Sequence, residues 1–137
     1  MNYFAYDELT VGQTAEFSRI ISNEMMNQFR SLSGDENPLH VKENYAMDKG
    51  FPGRVVYGML TASLYSCLAG VYLPGERCLL QSVHSDFCAP VFIGDCLTVS
   101  GTIVEKNDSV RQIVIKADVR NQQGKKVAKA KIEAGVL

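Results

Sequence analysis

The chain has 137 residues, 46% hydrophobic and 21% charged, with 14 basic residues against 15 acidic and a formal net charge of −1. That length suits one domain with its own core, since domains typically hold ~100–150 residues, and the composition is too ordinary for disorder. The charge balance excludes a global field that would attract nucleic acid or an anionic membrane. In chain order, Thr14 to Ile21 predicts a strand led by the turn-prone Val11-Gly12-Gln13. Ser22 is placed to N-cap a helix in which Met25, Met26, Phe29 and Leu32 recur at helical spacing to about Ser33, with Gly34 as C-cap. Asp35 to His40 is polar and contains Pro38, which predicts a turn or irregular loop. A brief helical turn over Glu43 to Met47 and a second loop, Lys49 to Arg54, follow. The next helix is expected from Gly58 to about Val71, stopped by Pro74-Gly75. The remainder is strand-like: Cys78 to Phe87, Leu97 to Ile103, Arg111 to Val119 and Ala128 to Ala134, with turn signals at Gly94-Asp95, Lys106 to Ser109 and Asn121 to Gly124. Short connections favour antiparallel pairing.

One sheet with an apolar face and one long apolar helix predicts an α+β fold spanning residues 1–137 as a single domain. Gly101, Ala128, Ala130 and Ala134 leave room on the inner face for that helix. A sheet curved around a buried helix is the hotdog arrangement. Val55 to Leu73 is a run of 19 residues without a charge, formally long enough to span a membrane. Thr61, Ser63, Ser66 and three tyrosines dilute it, so a core helix is the reading adopted and no membrane partner is expected. Four cysteines without a CxxC pair, and only two histidines, predict free thiols and no metal site. Met1 to Thr10 has no basic or apolar signal region, which predicts a cytoplasmic protein. His84, between Ser82 and Asp86, reads as structural, and the cysteines as small buried hydrophobes.

The segment Ser33-Gly34-Asp35-Glu36-Asn37-Pro38-Leu39-His40 holds the chemistry. An Asp and a neutral His facing one water can polarise it from two sides or exchange its proton. By spacing alone the same residues also make a good helix stop, with Asp35 capping its own backbone. Three segments in order resemble one family. The Ser33–His40 run resembles the hydratase-2 motif of MaoC-like, (R)-specific enoyl-CoA hydratases. Gly58-Met59-Leu60 resembles that family's helix-heading glycine, and Phe87-Cys88-Ala89-Pro90-Val91-Phe92-Ile93-Gly94-Asp95 its F-x-x-PV-x-x-GD segment. The similarity runs from about Leu9 to the C-terminus.

The resemblance implies a hotdog fold and hydration of trans-2-enoyl thioesters, or the reverse dehydration of (R)-3-hydroxyacyl thioesters. Asp35 and His40 would activate water, the Gly58 N–H would meet the charge on the thioester oxygen, and Asn37 would brace the loop. Ser66 matches a family serine that hydrogen-bonds near the pair, although a helix hydroxyl also bonds back to a carbonyl. Tyr57 stands where many members have His, a difference that bears on the thioester-end pocket. No cofactor is implied. The expected substrate is an acyl thioester of coenzyme A or of acyl carrier protein, and the expected assembly is a homodimer that covers an edge strand. A hotdog thioesterase would carry an acid on the long helix, and Val55 to Leu73 has none. A non-catalytic thioester-binding subunit is the remaining alternative.

Overall fold

A computed structural model describes all residues, 1–137. Five antiparallel strands, β1 (Thr14–Ile20), β2 (Cys78–Phe87), β3 (Cys96–Asn107), β4 (Gln112–Arg120) and β5 (Lys126–Val136), form one sheet in the order β1-β3-β4-β5-β2. Between β1 and β2 lie four helices: α1 (Asn23–Ser33), α2 (Pro38–Val41), α3 (Glu43–Asp48) and α4 (Gly58–Cys67). α4 is the central helix, and the sheet curves around it in the hotdog arrangement.

Period-2 patterning decides which face of the sheet is buried. On β3 and β4, Val99, Ile103, Ile115 and Val119 are fully buried, while Thr98, Ser100, Thr102 and Lys116 lie opposite on the outer face. Ala117 pairs with both Gly101 and Ala130 in a row of small residues. The row exists because α4 and its extension press on it. A Cβ built at Gly101 would lie 2.7 Å from Leu68 Cδ2 and 2.9 Å from Ile115 Cγ2. Register shifts between Leu80 and Ser82 on β2, and between Ile103 and Glu105 on β3, insert one extra residue in each strand. Such bulges bend strands and increase twist, which wraps the sheet around the helix.

The helical stretch ends differently from the expectation. The α-helix stops at Cys67 and widens into a π-helical turn, Leu68–Tyr72, whose Leu73 N–H reaches back five residues to the Leu68 carbonyl. The wider turn sets Leu68 and Ala69 against the sheet, both buried. α4 is not apolar all round: Met59 is 65% exposed, with Ser63 and Ser66 also exposed along the helix. In the stretch from Val55 to Leu73 only Met59, Ser63 and Ser66 are exposed, and no helix is long and apolar enough to cross a membrane.

Two strands are edges. β2 exposes Leu79, Leu80, Val83 and Phe87 along its length, the kind of apolar edge that proteins normally cover. The cysteines depart from the expectation of burial, and the His84 side chain has no hydrogen-bond partner of its own in the sheet. His84 is exposed on the outer face of β2, Cys88 is exposed, and Cys67, Cys78 and Cys96 are half-buried free thiols. The row of small residues predicts that Gly101→Val destabilises the protein by about 1–3 kcal/mol through overpacking. A lower urea midpoint with an unchanged slope checks this, and a wild-type midpoint would show that Leu68 has room to move.

Candidate active site

The candidate residues converge because two short segments are tied to each other. α1 begins at Ser22, whose hydroxyl accepts the Met25 N–H, and ends at Gly34 with φ 72°. That left-handed glycine turns the chain into Asp35. Asp35 Oδ1 accepts the Asn37 N–H at 2.9 Å, and Asn37 Oδ1 accepts the Leu39 N–H at 3.0 Å. The second bond makes Asn37 the N-cap of α2, with Pro38 at the start of the helix. Part of what reads as irregular loop in the sequence is therefore a one-turn helix, and His40 rides on it. Asp35 makes the cap-like turn with one oxygen, and no cation pairs with it. Most of its lone-pair sites remain open to solvent.

His40 is half-buried, and its Nδ1 lies 2.7 Å from the carbonyl oxygen of Val55. A carbonyl can only accept, so Nδ1 carries the proton and the neutral ring offers Nε2 as an acceptor. Val55 is itself held from both sides. Its N–H donates to the Leu39 carbonyl at 3.2 Å, and the Val56 N–H donates to the Val91 carbonyl at 2.8 Å. This gives the Pro90-Val91-x-x-Gly94-Asp95 segment a structural task. Asp95 Oδ2 accepts the Phe92 N–H and Oδ1 accepts from Gln122 Nε2, both at 2.9 Å, while Gly94 turns with φ 95°. The turn thereby presents the Val91 carbonyl to the strand-like approach to α4.

At the end of that approach α4 starts with no side-chain cap and no acidic residue in its first turn. The Gly58 N–H, one of the unsatisfied donors of a helix start, therefore has no acceptor within the chain and sits at the positive end of the helix dipole. Gly58 does not adopt a positive φ, so space rather than backbone strain makes it glycine. A Cβ there would stand 3.3 Å from Phe87 Cε1 and 3.4 Å from Cζ, filling the approach to the N–H. Phe87, the first residue of the F-x-x-PV-x-x-GD segment, thus borders this approach, a placement that its motif alone does not carry.

Tyr57, expected at the thioester-end pocket, lies between the Asp35 turn and the His40 ring, immediately before Gly58. It is 2% exposed and packed within the site: its hydroxyl donates to the Asp35 carbonyl at 2.9 Å. Its ring centroid lies 4.3 Å from that of His40 and 4.9 Å from that of Phe29. Burial, and after it the Asp35 charge, push the Tyr57 phenol above its ordinary pKa, so it remains a donor. Beside Asp35, Arg30 Nε donates to both Glu36 carboxylate oxygens at 2.9 Å, a bond that holds the Glu36 carboxyl below the usual carboxylate range. Both partners are well exposed, so the pair shapes the turn more than it stabilises the fold.

Ser66 is not joined to this cluster. It lies exposed two turns beyond Gly58, about 12 Å along the helix axis by the rise per residue, and no hydrogen bond connects it to Asp35 or His40. A groove of about 520 Å³ also lies elsewhere. It opens on the outer face of the sheet among His84, Asp86, Lys116, Asp118, Lys129 and Lys131. Across β4 and β5 Asp118 faces Lys129 while Lys116 faces Lys131, and the groove contains neither Asp35, His40 nor Gly58. Within one chain the Asp35/His40 side of the site is an open surface rather than a cavity, with Asp35 and Asn37 exposed. No cluster of His, Cys, Asp and Glu with metal-binding geometry is present.

The profile of the MaoC like domain family matches residues 8–126. An (R)-specific enoyl-CoA hydratase of Rhodospirillum rubrum is 37% identical over 103 residues, covering 75% of this chain and 70% of that protein. A 3-hydroxybutyryl-CoA dehydratase of Methylorubrum extorquens is 35% identical over 100 residues, covering 73% of this chain and 64% of that protein. Among solved structures, an unliganded R-hydratase from Pseudomonas aeruginosa superposes with a TM-score of 0.92 at 33% identity, covering 98% of this chain and 86% of that one. By sequence and by fold alike, the chain belongs to the MaoC-like domain family.

Proposed function

We propose that the protein is a hydro-lyase that adds water to trans-2-enoyl thioesters to give (R)-3-hydroxyacyl thioesters, and catalyses the reverse dehydration. The observation that carries this reading is that Tyr57 touches both the turn of an open carboxylate, Asp35, and an imidazole, His40, whose Nδ1–H is committed to the Val55 carbonyl. Nε2 is then the free base, on a ring held beside the same tyrosine that grips the Asp35 backbone. Water bound between the carboxylate and Nε2 has two acceptors for its protons. Its oxygen bonds to C3 as the C2–C3 π bond breaks, the pair takes one proton from it, and C2 receives a proton from the pair. The sum is one water added across the double bond.

Negative charge builds on the thioester oxygen as C3 is attacked. The Gly58 N–H is the donor for it, and the loss of one such donor typically costs ~2.7–4 kcal/mol of barrier. Asn37 serves by capping α2 and so fixing the base of His40. The relatives from Rhodospirillum rubrum and Methylorubrum extorquens, named for the two directions of one equilibrium, support this chemistry for the chain. An acyl carrier protein presents the same thioester as coenzyme A, and the reacting groups do not distinguish the two. The thioesterase reading loses ground at α4, whose first turn has no carboxylate.

The working unit is a homodimer in this proposal. The exposed apolar edge of β2 and the uncovered Met59 face of α4 supply the contact, and the open site becomes a tunnel when a second chain closes it. The four free thiols suit the reducing cytoplasm.

A short trans-2-enoyl-CoA incubated with the protein is expected to lose the ultraviolet absorbance of its conjugated thioester and to yield the (R)-3-hydroxy product. Release of free thiol would instead identify a thioesterase, and no change with coenzyme A or carrier-protein thioesters would identify a binding module. Asp35→Asn is expected to reduce turnover by at least ~10²–10⁴-fold while leaving the circular dichroism spectrum unchanged. An active Asp35→Asn variant contradicts the mechanism. Light scattering is expected to give twice the chain mass, and a monomer at micromolar concentration would remove the shared tunnel from the account.

A further inference from the structure

Asp35 and His40 sit on different elements, joined within the turn only by the short local bonds through Asn37. The turn is exposed and tied locally, through Asp35 N–H to Ser33 Oγ at 3.2 Å and Asn37 N–H to Asp35 Oδ1 at 2.9 Å. His40 belongs to α2 and is oriented from the far side by Val55. Tyr57 is the side chain that reaches both. Its hydroxyl donates to the Asp35 main-chain carbonyl at 2.9 Å, and its ring lies against the imidazole at a centroid distance of 4.3 Å and an interplanar angle of 34°. Phe29, from α1, backs the ring at 4.9 Å. Tyr57 is 2% exposed and immediately precedes Gly58, so its own position is locked to the helix start.

We propose that Tyr57 is the positioning residue of this site, setting the separation of the Asp35 carboxylate and the His40 Nε2 through a hydrogen bond to the Asp35 main-chain carbonyl and ring contact with the His40 imidazole. It acts through those two residues and touches no reacting atom. The inference rests on the hydratase reading and extends it, because Tyr57 otherwise reads as the wall of a pocket. Catalytic groups need placement to a fraction of an ångström, and an error near 1 Å costs on the order of 10²-fold in rate. A buried phenol fixed between two aromatic rings adds such placement to an exposed turn whose own bonds are all local. Filling space does not require the hydroxyl, whereas gripping the turn does.

Tyr57→Phe separates these roles, since it keeps the ring and removes only the hydrogen bond. With a short trans-2-enoyl-CoA, kcat is expected to fall between ~10- and 100-fold. The dissociation constant for the matching saturated acyl-CoA should stay within about twofold, since no binding contact is lost. Amide exchange at Asn37 and Leu39 should accelerate, while exchange in the β4 and β5 amides stays at the wild-type rate. Wild-type kcat in Tyr57→Phe, unchanged exchange in the turn, or an equal loss of binding and stability would each overturn the proposal. If the wild-type protein itself fails to hydrate the substrate, the hydratase reading falls, and the exchange at Asn37 and Leu39 still decides whether Tyr57 holds the turn.

Discussion

The structure around the site depends on a three-residue extended segment, Val55 to Tyr57, clamped between two parts of the chain that are distant in sequence. On one side the Val55 N–H meets the Leu39 carbonyl, and the Val55 carbonyl receives His40 Nδ1–H. On the other side the Val56 N–H meets the Val91 carbonyl. Each bond is an ordinary one, worth about 0.5–1.5 kcal/mol net. Their joint effect is geometric: they set the α2 imidazole, the Asp35 turn and the start of α4 in one frame. Because Val55 and Val56 are buried, loss of any of these bonds would also leave a desolvated backbone group unpaired.

The sheet contributes by giving that segment a rigid backing. Its inner row of Gly101, Ala117 and Ala130 lets Leu68 and the π-helical turn approach closely, which fixes the axis of α4 and so the direction of its N-terminus. The Asp95 turn, outside the sheet, transmits the same rigidity to Val91. A loop-borne carboxylate and a one-turn helix thus inherit precision from a core that they do not belong to. The proposed site follows the usual division, with chemistry on loops and stiffness in the scaffold.

Much of this was legible in the sequence, though unevenly. The strands, the Ser22 and Gly34 caps and the Asp35-x-Asn37-Pro38-x-His40 run are local signals, carried by side chains within a few residues of where they act. The partners of His40 and Tyr57 were not legible, because both are main-chain carbonyls, of Val55 and Asp35, and a carbonyl carries no residue identity. Tyr57 was visible as a departure from the His of related proteins, but its burial beneath the Asp35 turn depends on how α1 and α4 meet. Ser66 shows the opposite limit. Its position in the helix matched a motif, while helix phase places its hydroxyl on the uncovered face of the single chain.

In the proposed mechanism the thioester reacts between the Gly58 N–H, the Asp35 carboxylate and His40 Nε2. A crystal structure with a saturated acyl-CoA, which binds but has no double bond to hydrate, tests it most directly. The account predicts the thioester oxygen about 2.7–3.1 Å from the Gly58 nitrogen, with C3 facing a water shared by Asp35 and His40. An acyl thioester lodged in the outer groove among Lys116, Lys129 and Lys131, or one turned away from Gly58, would contradict it.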